Sequence, residues 1–361
     1  MQLTRLKVSN FRNFSQTEIH PSAGVNIFYG NNGSGKTNLL EAAFILCLGR
    51  SQRGNTDLVL VKAGEESYRI EGQLENEGRT HEVAVAYLNR GRKQITVDAV
   101  KSRLAELYDN FCAVAIGPED SEILSGGPSA RRLFMDLYIS QYSQLYLERL
   151  SQYNRAIAQK NAALKEQLEF ESYNSLLVQI GSQLMIARNR FLNNLQQAAS
   201  EYYKKISDDS KLSIHYQPSA TDGRELDEKV VESEFQNRLD EVTEKEKIVK
   251  TSLIGPHRDE VQILIDDLPA RSHGSQGEWR SVAIAMKLSV YKMLKDKRKF
   301  SPVLLLDEVF AELDNDRTAA LIDAFSDFEQ LFLTTATEPP GRLIESARKF
   351  MISDGRVTKG C

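Results

Sequence analysis

The run Gly30-Asn31-Asn32-Gly33-Ser34-Gly35-Lys36-Thr37 constrains this chain more than any other segment. It fits G-x-x-x-x-G-K-[S/T] at every fixed position. It also lies between a β-like run, Val25–Tyr29, and an apolar helical segment, Lys36–Leu48. That strand–loop–helix context gives the motif its meaning. The glycines let backbone N–H groups curl around phosphate oxygens, and the helix N-terminus adds partial positive charge. Lys36 is placed to reach the β- and γ-phosphates, and Thr37 to ligate Mg²⁺. Asn38, the next residue, is counted with them. The segment predicts an α/β protein that binds ATP with Mg²⁺.

Composition sets wide limits around that loop. At 361 residues the chain fits one large domain or two moderate ones. Apolar residues make up 41% and charged residues 27%, ordinary for a soluble globular protein. No run of about 18 apolar residues offers a membrane span. The start, Met1-Gln2-Leu3-Thr4-Arg5-Leu6-Lys7, alternates like a strand and lacks the apolar core of a signal peptide. Cys47, Cys112 and Cys361 are few, odd in number and far apart, so a reduced, cytoplasmic setting is the simplest. A net charge of −4 lends no support to a DNA-coating protein, and any DNA contact must come from local basic patches.

The chain divides into three stretches by pattern. Leu3–Val8, Gln16–His20 and Val25–Tyr29 read as short strands. Tyr68–Leu74, Glu82–Leu88 and Gln94–Val97 alternate at period two with turn residues between them, which predicts an antiparallel sheet. From Ser129 to Gln217 there is no proline, and Gly181 is the only glycine. Tyr146, Leu150, Tyr153, Ile157, Leu164 and Leu168 form one apolar stripe; Leu177, Ile180, Leu184, Ala187, Phe191 and Leu195 form another. Two long antiparallel helices turning near Phe170–Tyr173 are expected. Thr221–Lys250 is charge-rich and should contain a solvated helix. The last third returns to α/β, with strands at Val261–Ile265, Val303–Leu306 and Leu331–Thr334 and helices at Glu278–Leu294 and Arg317–Phe325.

Val303-Leu304-Leu305-Leu306 fits a strand buried on both faces, and it ends in Asp307-Glu308. A carboxylate at such a strand end can hold Mg²⁺ through water, and a second can polarise an attacking water. Asp307 takes the first role and Glu308 the second, beside Lys36. Taken alone, two acids at a strand end are common; downstream of a phosphate loop they acquire this function. Gly274-Ser275-Gln276-Gly277-Glu278, ahead of a helix, resembles the signature loop Leu-Ser-Gly-Gly-Gln of ABC-type ATPases. A Ser/Gly turn before a helix is otherwise an N-cap. Its spacing from Asp307-Glu308 and from Glu312-Leu313-Asp314, similar to that family's D-loop, favours the signature reading.

The whole set resembles the RecF family of bacterial recombination mediators. The matching residues are Asn10-Phe11-Arg12-Asn13-Phe14, Gly117-Pro118-Glu119-Asp120, Arg131-Arg132-Leu133-Phe134-Met135-Asp136, Gly255-Pro256-His257-Arg258-Asp259, Ser275-Gln276-Gly277, Asp307-Glu308 and Leu313-Asp314. They span nearly the whole chain. The resemblance implies an ABC-type ATPase head, a mixed sheet with the P-loop plus an antiparallel β subdomain, with an inserted α-helical second lobe. It divides the chain into head residues 1–125, helical lobe 126–245 and head residues 246–361. It implies that Ser275, Gln276, Gly277 and Asp314 face the ATP of a second copy, so that ATP holds a homodimer together. It further implies slow, DNA-stimulated ATP hydrolysis. Sequence-independent binding to single-stranded and duplex DNA at gaps or junctions follows too, as does cooperation with RecR and RecO in loading RecA during repair, replication and the SOS response.

Some positions depart from the family pattern or stay open. Glu278 stands where RecF proteins often carry glutamine; an acid near phosphate must point away or bond to backbone. Thr334 and Thr335 stand where many ABC ATPases carry a switch histidine, so either γ-phosphate sensing is altered or this is simply a buried strand end. Gly117–Asp120 is the Q-loop candidate by position. His257 reads as a structural histidine before a catalyst. Arg90-Gly91-Arg92-Lys93, Arg131-Arg132 and Lys292–Lys299 are either phosphate-binding patches or solvated faces. A transporter ATPase subunit would show a switch histidine and a shorter helical lobe. A GTPase would show Asn-Lys-x-Asp, and a P-loop kinase would leave Ser275–Glu278 and Asp314 without a role. A structural organiser of DNA would carry a long coiled coil and hinge.

Overall fold

A computed structural model describes residues 1–54, 56–88, 91–207, 210–222, 227–310, 328–336 and 347–359. Strands β1 (Gln2–Phe11), β2 (Phe14–Ile19) and β3 (Gly24–Tyr29) lead into helix α1 (Lys36–Leu48). Helix α2 (Asp57–Leu60) precedes β4 (Tyr68–Asn76), β5 (Arg79–Leu88), β6 (Arg92–Val97) and β7 (Val100–Lys101). Helix α3 (Leu104–Asn110) and β8 (Ala113–Ile116) follow. A helical stretch comes next: α4 (Glu122–Ser125), α5 (Pro128–Tyr142), α6 (Gln144–Glu166) and α7 (Ser172–Ile206). Then come β9 (Leu212–Gln217), α8 (Glu228–Val249), β10 (Glu260–Ile265), β11 (Leu268–Pro269), α9 (Ala270–His273) and α10 (Gln276–Arg298). The last described strands are β12 (Val303–Asp307), β13 (Gln330–Thr335), β14 (Arg348–Ser353) and β15 (Arg356–Lys359).

The fold forms two packed units. The first is Met1–Asp120, Lys205–Ser207 and Lys287–Cys361; the second is Ser121–Lys204 and Asp208–Met286. The boundaries differ from the three segments expected from the sequence. Residues 246–286, expected with the C-terminal head, pack with the helices, because β10 pairs with β9 through six residues and α5 packs on β10. The expected helix Arg317–Phe325 lies outside the described residues.

Two sheets build the first unit. One is antiparallel, in the order β2-β1-β4-β5-β6-β7. Burial follows the period-two alternation in β4, where Tyr68, Ile70 and Leu74 are turned inward; in β1 an irregularity between Leu3 and Arg5 shifts the register, and in β5 the run Val83–Ala86 is buried throughout. The other has the order β15-β14-β3-β13-β12-β8, parallel except for β15. Helix α1 touches β1, β4 and β5 of the first sheet and β8, β12 and β13 of the second. That explains its composition: Leu39 to Leu48 are buried without interruption, and a helix apolar all round must be covered all round. Its one acid, Glu41, is fully buried. It accepts from Arg12 at 3.0 Å and from Ser51 at 2.6 Å.

In the second unit the two predicted stripes form α6 and α7, with the chain turning through Gln167 in a left-handed conformation. Tyr146, Leu150, Tyr153 and Leu164 are buried on α6, and Leu177, Ile180, Leu184, Phe191 and Leu195 on α7. Leu168 falls beyond the helix end and is exposed. Gly181 is explained by close approach. A Cβ there would sit 2.6 Å from Phe235, 3.2 Å from Tyr153 and 3.3 Å from Pro256.

Arg188, buried on α7, donates to Asp136 at 2.8 Å, to Asp259 at 3.1 Å, to Tyr146 at 2.9 Å and to the Pro256 carbonyl. Two of the motifs singled out in the sequence, Arg131–Asp136 and Gly255–Asp259, are therefore held together by one buried guanidinium. Arg131 itself is buried and forms a bidentate pair with Glu260 at 2.6 and 2.8 Å, which takes it out of any DNA-binding patch. His257 meets the Tyr153 hydroxyl at 2.9 Å and the Ser252 carbonyl at 3.4 Å. It is a structural residue of this network.

Candidate nucleotide site

In the parallel sheet the strand register decides which side chains meet. Thr335 pairs with Tyr29, Asp307 with Thr334, and Leu306 with Ile116. All four strands run the same way. The loop after Tyr29, the acids after Leu306, the threonines ending β13 and Gly117 after Ile116 therefore share one sheet edge. Ligands of open α/β sheets bind outside this carboxyl edge.

The loop itself carries positive φ at Gly30, Gly33 and Gly35. At Gly35 the requirement is double: φ is 114°, and a Cβ would lie 2.6 Å from the Asn13 amide. Asn13 explains the closeness. It donates to the Ser34 carbonyl at 2.9 Å and accepts from Asn38 at 2.9 Å, so it ties the loop to the first turn of α1. Asn38 thus bonds to Asn13 in this structure. Lys36 donates to the carbonyls of Gly30 at 2.9 Å and Asn31 at 3.2 Å, and lies 3.3 Å from Glu308. Asn31, Asn32 and Gly33 are exposed at the loop tip. The Ser34 hydroxyl is buried and meets no hydrogen-bond partner among the described residues.

Thr37 donates to Asp307 at 2.8 Å, and Thr334 donates to the same oxygen at 2.6 Å. Burial raises the Asp307 carboxyl above its ordinary range, and the two hydroxyl bonds partly offset this. Arg53 lies 3.6 Å from Asp307 and bonds Glu119. The sequence alone assigns no site role to Arg53 or Asn13. Asn13 lies inside a matched motif, which is a signal that could have found it. Arg53 has no local signal, since its partners are far along the chain. Glu308 has φ of 49°, receives the Ala336 N–H at 3.2 Å and gives its own N–H to Thr334 at 3.0 Å. In the Q-loop candidate, Glu119 is taken by Arg53, while Asp120 accepts from the Gly117 N–H and pairs with Lys287 at 2.9 Å.

The signature candidate belongs to the second unit. Ser275 caps α10. Its N–H and hydroxyl both donate to Glu278 at 2.7 Å, and the Glu278 N–H returns to Ser275 at 3.3 Å. This reciprocal capping box accounts for the acid at position 278: its carboxylate bonds the serine and its backbone. Ser275, Gln276 and Gly277 are exposed. Asp314 and the D-loop candidate lie outside the described residues, as does Arg90. Lys93 is engaged by Asp57 at 2.6 Å, whereas Lys292, Lys297 and Lys299 are exposed. Among the described residues no helix is long and apolar enough to cross a membrane.

A P-loop entering a helix between an antiparallel sheet and a mostly parallel one, with an Asp-Glu pair at the end of β12, one strand removed from the P-loop strand, defines an ABC-type ATPase head. The family described as RecF/RecN/SMC N terminal domain matches residues 2–356. The DNA replication and repair protein RecF of Lachnoclostridium phytofermentans is 33% identical over 371 residues, covering 100% of both chains. That of Symbiobacterium thermophilum is 35% identical, covering 92% of this chain and 91% of its own. A solved structure of the recombination mediator protein RecF with ATP, in the RecFOR pathway, superposes with a TM-score of 0.92 at 33% identity. It covers 99% of this chain and 97% of that one. An SMC head from Pyrococcus furiosus shares the fold, with a TM-score of 0.55 at 15% identity. The chain belongs to the RecF family.

Proposed function

We propose that the protein is an ATP-dependent, homodimeric DNA clamp of recombinational repair that acts at single-stranded gaps. The observation that carries this reading is the convergence of Lys36, Thr37, Asp307 and Glu308 on one sheet edge, in a chain of this family. The first unit is the ATPase head, and the second supplies its helical lobe. The orphaned Ser34 hydroxyl, the Lys36 ammonium resting on loop carbonyls and the three positive-φ glycines fit a triphosphate. Lys36 would hold the β- and γ-phosphates within the cradle of Gly30 to Gly35, and Thr37 and Asp307 would hold Mg²⁺. Bound magnesium would neutralise charge on the phosphates. Glu308 would orient the attacking water and take its proton. Ser275, Gln276, Gly277 and Asp314 would contact the ATP of the second copy.

In this reading hydrolysis is slow and DNA-stimulated, the protein works in the cytoplasm, and its partners are DNA, RecR and RecO in loading RecA. The relatives' printed roles in DNA replication, repair and the RecFOR pathway support it. The test is sedimentation with no nucleotide, with ADP and with a non-hydrolysable ATP analogue, each with and without gapped duplex DNA. The expected result is a dimer only with the ATP analogue, with stronger DNA retention. Ser275→Arg should abolish the dimer while each monomer still binds ATP. A monomer in every state that ignores DNA overturns the proposal.

A further inference from the structure

Strand β13 ends in Thr334-Thr335, where many ABC ATPases carry histidine, and Thr334 is the one that stands beside the acids. Its hydroxyl is fully buried and has both of its roles in use. It donates to Asp307 Oδ1 at 2.6 Å and accepts the Glu308 N–H at 3.0 Å. Two residues on, the Ala336 N–H donates to Glu308 Oε2 at 3.2 Å. The end of β13 therefore grips Glu308 at both its backbone and its carboxylate. It needs gripping: Glu308 has φ of 49°, a conformation a non-glycine residue leaves unless its surroundings hold it. With it held there, the Glu308 carboxylate lies 3.3 Å from Lys36. A relaxed backbone at 308 would swing the side chain off the sheet edge, because φ sets the direction of Cβ.

We infer that Thr334 is a positioning residue: its single hydroxyl fixes the Asp307 carboxylate for metal and locks the Glu308 backbone in the conformation that aims its carboxylate at the phosphate loop. The inference rests on the proposed roles of Asp307 and Glu308 and adds the element that sets their geometry. One hydroxyl meets these bonds because the β12–β13 register puts Thr334 directly opposite Asp307. Thr334 is fully buried and bonds both acids, so this strand end holds the acids in place.

The test compares Thr334→Val, which keeps the shape and loses the hydroxyl, with Thr334→Ser, which keeps the hydroxyl and loses the methyl. Nucleotide-free protein is first followed by amide hydrogen exchange over Val303–Val309. Exchange at Glu308 should speed at least tenfold in the valine variant and stay near the parent in the serine variant. Steady-state ATP hydrolysis should then show kcat lowered at least tenfold by valine with KM within about threefold, and largely rescued by serine. If serine loses kcat as valine does, or if valine leaves Glu308 exchange unchanged, the hydroxyl does not position the acids. Glu308→Gln is assayed in parallel. If it hydrolyses ATP like the parent, the role of Glu308 is wrong; if it is inactive while Thr334→Val matches the parent, only the positioning role fails.

Discussion

Lys160 and Glu246 face each other at 2.7 Å with neither side chain exposed, although the contact is not aligned as a hydrogen bond. The Lys160 ammonium also sits 5.5 Å from the Phe170 ring centroid, and Glu246 accepts the Leu253 N–H at 2.8 Å. Removing one member of such a pair strands a buried charge, whereas removing both leaves no charge behind. Lys160→Met alone should destabilise the protein by about 3 kcal/mol. The double variant Lys160→Met/Glu246→Leu should recover part of that loss and stop about 1–2 kcal/mol short of the parent, because the Leu253 N–H and the Ser252 hydroxyl lose their acceptor. Urea unfolding of the four members of the cycle measures both.

His257 gives a pH dependence with a definite sign. Burial pushes its pKa down from 6.5 to about 4. A weak bond from Nε2–H to the Ser252 carbonyl leaves Nδ1 to accept the Tyr153 hydroxyl, an arrangement that uses the neutral ring. The folded state thus binds the proton less readily than the unfolded chain. Stability from this group is full above pH 6.5 and is lost as pH falls toward 4, by at most about 3 kcal/mol. His257→Gln should flatten that part of a plot of melting temperature against pH.

Gly181→Ala sets two effects against each other. Alanine in a helix interior gains roughly 1 kcal/mol over glycine. The new methyl would meet Phe235 at 2.6 Å, with Tyr153 and Pro256 also inside ordinary contact distance. Phe235 and Tyr153 are buried rings with no room to withdraw, and overpacking costs about 1–3 kcal/mol. The clash should win, with a net loss of about 1 kcal/mol in chemical denaturation.

Asn13→Ala removes the tie between the phosphate loop and α1. Two hydrogen bonds go, so nucleotide affinity should fall about tenfold while the melting temperature changes little. Asn13→Asp should be worse, because it keeps the acceptor for Asn38 and turns a carboxylate toward the Ser34 carbonyl. Isothermal titration with an ATP analogue distinguishes the two variants.

What is legible in the sequence follows how local its cause is. The phosphate loop, the helical stripes and the period-two strands are written within a few turns of chain, and β4, β5, α6 and α7 appear where their patterns lie. The short strands β8, β9 and β14 carry no such signal. Ala113–Ile116 is too brief for periodicity, and Arg348–Ser353 becomes a strand by lying against β3. The partners Asn13 and Arg53 are equally non-local: Arg53 finds Glu119 and Asp307 only once β8 and β12 are adjacent. Arg131 looks like half of a basic patch until Glu260, far along the chain, closes on it.

Strand β3, which carries the phosphate loop, lies between β13 and β14. Both neighbours leave the ribosome long after it. Until they emerge, the nascent chain presents an apolar strand with two open edges, waiting for partners not yet made. A chain stalled before Gln330 keeps the whole nucleotide motif and none of the pairing that buries its strand. Such fragments should depend on holding factors and be prone to aggregation, which makes translation through Ser353 a condition of solubility as well as of activity.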